Sequence, residues 1–364
     1  MKIVFDYEIF TKQKYGGISN YFCCLANEII IKKKQIKIIS PLHKNFYLEN
    51  FNKEHKSAYH FSFPQKIINP IEKFNHYLTN RIIKKINPDI IHNTYYFKKQ
   101  IKTVKAKNVL TFMDLSHELY DLKSKKNIKI AEWKKECAKS SDHIIVPSNT
   151  TKLDLMDIHK IDEKKITITH LSSDFKTEYV KNFSDKKMNN YILFVGGRSG
   201  YKNFENFIYA YSESKKLRNE YKILIFGGEK KTVCGIDILK KYNIPNKNFT
   251  FIYGDEDKLK FLYKNVACLI FPSFYEGFGL PVIEAMRSGC PLILSNAKAF
   301  KEVAGNGLDF FDPSEVDDIK EKLETLLFSE SKLKENILYG LSRANNFSWK
   351  KCAQETINAY SKIL

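Results

Sequence analysis

Residues 271–288 read FPSFYEGFGLPVIEAMRS, and the character of the chain changes twice within them. Just upstream, Val266–Phe271 is an unbroken apolar run of strand length, the pattern of a strand buried on both faces of a parallel sheet. Pro272 ends that run. Gly277 and Gly279 open backbone conformations closed to other residues, and Pro281 suits the first turn of a helix that Glu284, Ala285 and Met286 favour and Gly289 stops. The spacing predicts a helix starting near Leu280. Its first-turn N–H groups and the positive end of its dipole favour an anion beyond the carboxyl end of the strand, so a diphosphate is expected at Gly277, Phe278, Gly279 and Leu280.

Two carboxylates frame this anion site, Glu276 at the end of the loop and Glu284 eight residues later. Both would repel phosphate, so each is read as accepting hydrogen bonds from hydroxyl groups, a sugar on one side of the diphosphate and a ribose on the other. The stretch EGFGLPVIEAMRSGCPLI, residues 276–293, resembles the Glu-x7-Glu signature of the retaining glycosyltransferases of the GT-B group called glycosyltransferase group 1, or family 4. That resemblance implies that Glu276 binds the donor sugar, Glu284 the ribose of the nucleotide, and the intervening amides the phosphates.

Other segments extend the likeness. YILFVGG, 191–197, reads as a buried strand ending in glycines, and RSGYKNFENFIYAY follows. This resembles the family's donor-phosphate motif, an Arg-Lys pair before Asn. Lys202 and Asn203 match, Tyr201 stands at the arginine position, and Arg198 in the same loop is expected to supply the second cation, with Gly197 beside it. Breaking a sugar–diphosphate bond builds negative charge on the leaving group, which fixed cations stabilise. Near the start, KYGGISNYFCCLANEII matches the family's glycine loop facing the donor phosphates, at Gly16 and Gly17. In NVLTFMDLSHELY, 108–120, the family's sugar-contacting histidine is replaced by Met113, so the contact passes to Asp114 or His117 or is absent. A carboxylate at a strand's carboxyl end is well placed to meet an acceptor hydroxyl, which favours Asp114.

Composition bounds the rest. At 364 residues and 43% hydrophobic, the chain suits two cores. Net charge is +19, and residues 1–185 hold 33 basic and 20 acidic side chains, so the first half carries +13 of it. Such a field attracts polyanions, nucleic acid or an anionic membrane surface. The run KKQIKTVKAK, 98–107, with Arg81, Lys84 and Lys85, is read either as a peripheral membrane contact or as a solvated lysine face. A nucleic-acid binder should interleave aromatic and basic residues on one surface, whereas the aromatics here fall largely in apolar strand and helix patterns. Seven cysteines without a CxxC read as reduced core residues, and no metal-ligand spacing appears. Asp255-Glu256-Asp257 looks like a metal motif, but Asp257 reads better as the N-cap of the helix after it. The first residues lack a signal peptide's cleavage site and no stretch reaches about 18 apolar residues, so a cytoplasmic protein is expected, with peripheral contact at the inner face of the plasma membrane as the open alternative for its basic runs.

Strands alternating with helical segments predict an α/β fold. By resemblance it is GT-B, two Rossmann-like doubly wound parallel-sheet domains facing across a cleft. The expected division is 1–186 for an acceptor domain, 187–345 for a nucleotide-sugar donor domain, and 346–364 for a terminal helix crossing back, with the polar stretch 183–190 as linker. The implied activity is metal-independent, retaining transfer of a hexose, GDP- or UDP-linked, with mannose among the candidates. The sugar hydroxyl that receives it belongs to a glycan or lipid-linked glycan acceptor of surface polysaccharide or lipopolysaccharide, and no cofactor beyond the donor substrate is implied. The alternatives are a nucleotide-sugar hydrolase or epimerase on the same fold, or a basic nucleic-acid-binding protein.

Overall fold

The structure, a computed structural model, describes residues 1–97, 99–101, 105–120, 125–175, 188–198, 200–227 and 233–364, apart from the side chains of Lys126, Val233 and Cys234. The chain forms two compact units, Met1–Leu171 with Ser348–Leu364, and Ser172–Phe347. The division thus falls after Leu171. In the polar stretch 183–190, residues 188–190 already belong to a strand, and the remainder lies outside the described residues.

The first unit is a parallel sheet of β1 (Lys2–Phe5), β2 (Gln35–His43), β3 (Lys56–His60), β4 (Ile90–Asn93), β5 (Lys107–Thr111), β6 (His143–Val146) and β7 (Ile166–Ile168), in the order β3-β2-β1-β4-β5-β6-β7. The second contains β8 (Met188–Val195), β9 (Lys222–Phe226), β10 (Phe249–Ile252), β11 (Val266–Phe271), β12 (Leu292–Ser295) and β13 (Phe310–Phe311), in the order β10-β9-β8-β11-β12-β13. Both are Rossmann-like α/β sheets whose winding reverses once, between β1 and β4 and between β8 and β11. Crevices at such reversals, beyond the carboxyl ends of the strands, are where ligands bind in this architecture.

The apolar runs form central strands because both faces of such a sheet are covered. Ile192, Phe194, Ile223, Ile225, Cys268 and Ile270 share one core with Phe204, Phe207 and Tyr211 of the helix Phe204–Glu213. In the first unit the terminal helix Trp349–Ile363 buries Trp349, Ala353, Ile357 and Tyr360. Tyr360 reaches the sheet, its hydroxyl 2.6 Å from His92 Nδ1, while His92 Nε2 lies 2.7 Å from Thr111 Oγ1. Ser148 caps the helix Asn149–Ile158, its Oγ accepting from Thr151 N at 3.0 Å. One expected cap moves: Asp255, not Asp257, accepts from Lys258 N at 3.0 Å and starts the helix Glu256–Asn265, because only Asp255 has extended backbone there. The six cysteines whose side chains are described are buried.

Candidate functional site

In the second unit, β8 and β11 are neighbours, so the loops leaving them lie side by side. Backbone and side-chain bonds lock them together: Phe274 N donates to Tyr201 O at 2.8 Å, and Asn203 Nδ2 donates to Pro272 O at 3.0 Å and Pro313 O at 2.7 Å. Asn203 holds its left-handed conformation, φ 54°, through these bonds. The chain after Phe271 then turns through Gly279, φ 95°, into the helix Leu280–Arg287, which begins at the expected residue with Pro281 in its first turn. A side chain at Gly279 would meet the Phe300 ring within 2.8 Å, so the turn is closed to larger residues.

This brings Gly197, Arg198, Lys202, Glu276, Gly277, Phe278, Gly279, Leu280 and Glu284 to one sheet edge and the helix that leaves it. Lys202 Nζ lies 2.6 Å from Glu276 Oε1, with only 20% and 11% of the two side chains exposed. The Lys202 ammonium also sits 5.3 Å from the centre of the Phe271 ring. Arg198 is nearly fully buried; Nη1 donates to Gly227 O at 2.7 Å and the guanidinium lies 5.4 Å from the Phe251 ring. It is thus fastened to the turn after β9. Glu284, half-buried, accepts from the Tyr263 hydroxyl at 3.3 Å. Burial, and then the charge of Glu256, push its carboxyl up to about 7 despite that bond and nearby Lys260.

In the first unit, Asp114, His117 and Ile18 line a pocket of about 50 Å³ together with Met113, Thr94, Tyr95 and Lys134. Asp114 Oδ1 accepts from Ser116 N at 3.0 Å and Ser116 Oγ at 2.7 Å. Burial alone would raise its pKa, but the Lys134 ammonium, 3.8 Å away, and the Ser116 bonds hold it below the usual carboxylate value. His117 Nδ1 is buried without a hydrogen-bond partner. Gly16 and Gly17 start the helix Gly17–Ile31, but Gln13 folds over that start and accepts from Ser19 N at 3.2 Å.

Sequence reasoning missed two groups here. Lys134, almost wholly buried, donates to Asp114 O and to Glu118 Oε2, both at 2.8 Å, and Glu118 Oε1 lies 3.3 Å from His159 Nε2. At the carboxyl end of β1, Asp6 Oδ1 accepts from Thr94 Oγ1 at 2.6 Å and from Thr94 N at 2.9 Å. Burial and the charge of Glu8 push Asp6 up to about 7. Lys12 bridges Glu8 at 2.6 Å and Glu72 at 2.7 Å beside a cavity of about 480 Å³ that Tyr7, Glu8, Glu72 and His76 help line. The signal available was FDYE, two carboxylates directly after the first strand. Among the described residues no group of three or more His, Cys, Asp and Glu side chains is placed to hold a metal ion.

Two family models match the chain side by side: Glycosyltransferase Family 4 over residues 15–173 and Glycosyl transferases group 1 over residues 175–340. Among curated relatives, the O-antigen chain mannosyltransferase B of Escherichia coli is 39% identical over 111 residues, 30% of this chain and 29% of the relative. The O-antigen chain mannosyltransferase RfbU of Salmonella typhimurium is 27% identical over 214 residues, 58% of this chain and 56% of the relative. The chain therefore spans less than two thirds of the length of these relatives. A sucrose-phosphate synthase from Thermosynechococcus elongatus superposes with a TM-score of 0.78 at 16% identity, covering 99% of this chain and 98% of that one, a likeness of fold. With both halves matched and two Rossmann-like units carrying the Glu-x7-Glu turn, the chain belongs to the group 1, family 4 glycosyltransferases of the GT-B fold.

Proposed function

We propose that the chain transfers a hexose, with mannose first among candidates, from a nucleoside diphosphate sugar to a sugar hydroxyl of a surface-polysaccharide acceptor, with retention at the anomeric carbon. The observation that carries this reading is the glycine turn with Glu276 and Glu284 at its two ends and Lys202 2.6 Å from Glu276. Sugar hydroxyls donate to Glu276, ribose hydroxyls to Glu284, and the turn and first helical amides face the diphosphate. The bond from the anomeric carbon to the diphosphate oxygen breaks, and Lys202 and Arg198 meet the charge left on that oxygen. The acceptor hydroxyl attacks from the same face, and the departing oxygen takes its proton, so no enzyme nucleophile and no metal is called on. The relatives' names supply mannose and the O-antigen chain.

In the first unit Asp114 and His117 are the proposed contacts to the reacting sugars, because they line one pocket beside the glycine loop. Gly16 and Gly17, at the start of the helix Gly17–Ile31, are the proposed glycine loop for the donor phosphates. A lipid-linked acceptor at the cytoplasmic face of an anionic membrane completes the proposal. Among the described residues no helix is long and apolar enough to cross a membrane.

A stability screen with UDP-, GDP-, ADP- and CDP-sugars tests the donor site, since a ligand at 100 times its Kd adds about 2.7 kcal/mol. Transfer is then assayed with and without a glycan acceptor. Acceptor-dependent release of nucleotide with a product of unchanged anomeric configuration supports the proposal. Acceptor-independent sugar release, or an epimerised donor, replaces it with the hydrolase or epimerase reading.

A further inference from the structure

The helix Ile68–Ile86 of the first unit is held in one rotation about its axis. Asn75 Nδ2 donates to Leu42 O at 2.7 Å and Asn75 Oδ1 accepts from Leu42 N at 2.8 Å, so Glu72, Asn75, Thr79 and Ile83 face inward. The outward stripe is then Phe74, Tyr77, Arg81, Lys84 and Lys85, at the three- and four-residue spacing of one helical face. Phe74 is 46% exposed and Tyr77 58% exposed, and the Arg81 guanidinium lies 5.8 Å from the Tyr77 ring.

The neighbouring edge of the sheet repeats this chemistry. Tyr59 on the edge strand β3 is 67% exposed, and Phe61 just beyond it is 46% exposed. Phe61 stacks on Phe63 at 6.3 Å, and the Lys44 ammonium lies 5.2 Å from the Phe63 ring. Two residues after Lys44, the exposed Phe46 packs on exposed Tyr15 at 5.1 Å, with the Lys14 ammonium 5.7 Å from that ring. Residues 43–85 hold eight basic and three acidic side chains. One of the three, Glu72, is buried and neutralised by Lys12.

We propose that this face docks on an anionic bilayer, its rings in the headgroup boundary and its cations on lipid phosphates. Protein interfaces are depleted of lysine at their centres, whereas here the rings of Tyr15, Phe63 and Tyr77 each have a lysine or arginine cation within 6 Å. Amphipathic rings beside Lys and Arg are the composition of an interfacial surface, and each cation strengthens its hold on anionic lipid by about fivefold. The site differs from the run 98–107, in which Lys98, Lys102, Thr103 and Val104 lie outside the described residues. The proposal deepens the transferase reading only by bringing the protein to a lipid-linked acceptor, and its test contains neither donor nor acceptor.

Full-length protein is co-sedimented with vesicles of phosphatidylcholine alone or with a third phosphatidylglycerol, at low and high salt. Expected are binding to anionic vesicles only, release by salt, about a hundredfold loss in Arg81→Ser/Lys84→Ser/Lys85→Ser, and about tenfold loss in Phe74→Ser/Tyr77→Ser. Phe328→Ser/Leu338→Ser, a pair of exposed apolar residues on the second unit, should bind like the parent. Equal recovery with neutral and anionic vesicles overturns the proposal, as does undiminished binding of both patch variants while their melting temperatures match the parent's. A dimer that Phe74→Ser/Tyr77→Ser dissolves, without vesicle binding by the parent, assigns the face to a second copy of the chain instead and overturns it too.

Discussion

Lys202 and Glu276 come from loops on adjacent strands and meet at 2.6 Å, each largely out of water. Before any donor arrives, the cation proposed for the leaving diphosphate and the carboxylate proposed for the sugar hold each other in place. Rigid pairing of this kind lowers the reorganisation needed when the donor enters. Removing either partner takes from the other, a mostly buried charge, its ion-pair contact at 2.6 Å. Glu276→Ala should therefore abolish detectable transfer, and Lys202→Ala should lower kcat by about tenfold to a hundredfold, the worth of one charged hydrogen bond at about 1.5–3 kcal/mol. Steady-state kinetics at saturating donor decide it, and near-normal turnover in Glu276→Ala removes that residue from the chemistry.

Arg198 is expected to do two things at once. Its Nη1 bond to Gly227 O holds the turn after β9, and its charge stands at the end of β8 beside Lys202's loop. Arg198→Ala should lose about 1–3 kcal/mol of stability from the stranded carbonyl and also a large part of kcat. Tyr201→Arg, which restores the family's arginine position, should leave kcat unchanged in the parent and recover part of it in Arg198→Ala. Urea unfolding and kinetics on the four proteins separate the effects. Lost stability with unchanged kcat would make Arg198 a purely structural residue.

What could be read from the sequence was whatever had a local cause. The strand Val266–Phe271 and the helix from Leu280 follow from an apolar run, a proline and two glycines, all within a few residues of one another. β3 was not anticipated because KSAYH is short, polar and at a sheet edge, so no burial pattern marks it. The pairing of Glu276 with Lys202, 74 residues apart, became visible only once β8 and β11 were placed side by side. Lys134 escaped because lysine in a helix rich in charged residues reads as solvated. The structure instead turns it inward, over the rings of Tyr96 and Phe112 at 5.3 and 5.2 Å.

That inward lysine leads to a stability prediction. Lys134 Nζ serves Asp114 O and Glu118 Oε2, and its side chain is 1% exposed. Lys134→Met keeps the length of the side chain but leaves Glu118 buried without the ammonium that pairs with it at 2.8 Å. The loss should be about 3–5 kcal/mol, the cost of breaking a buried pair from one side. Lys134→Met/Glu118→Gln, which removes both charges, should recover most of it. Chemical unfolding of the two variants checks this, and a single variant as stable as the parent would show the pair to be of no consequence.

Glu284 makes donor binding depend on pH. Burial and Glu256 place its carboxyl near 7, above the value of an unfolded glutamate, so the free protein holds a proton there that the unfolded chain releases. The sign follows from linkage: this contribution to stability is complete below the unfolded pKa and is lost as pH rises through about 7. Glu284→Gln should flatten that fall. Ribose hydroxyls bind the ionised form best, since two donors facing a carboxylate stabilise its charge. Donor affinity should therefore rise between pH 6 and 8, and binding near pH 7 should release a fraction of a proton. Calorimetry at pH 7 in two buffers of different ionisation enthalpy measures that proton directly. The parent should show a buffer-dependent heat and Glu284→Gln none, with weaker binding of nucleotide and less effect on the sugar step. Identical heats in both buffers for the parent, with affinity flat from pH 6 to 8, would remove Glu284 from the ribose site.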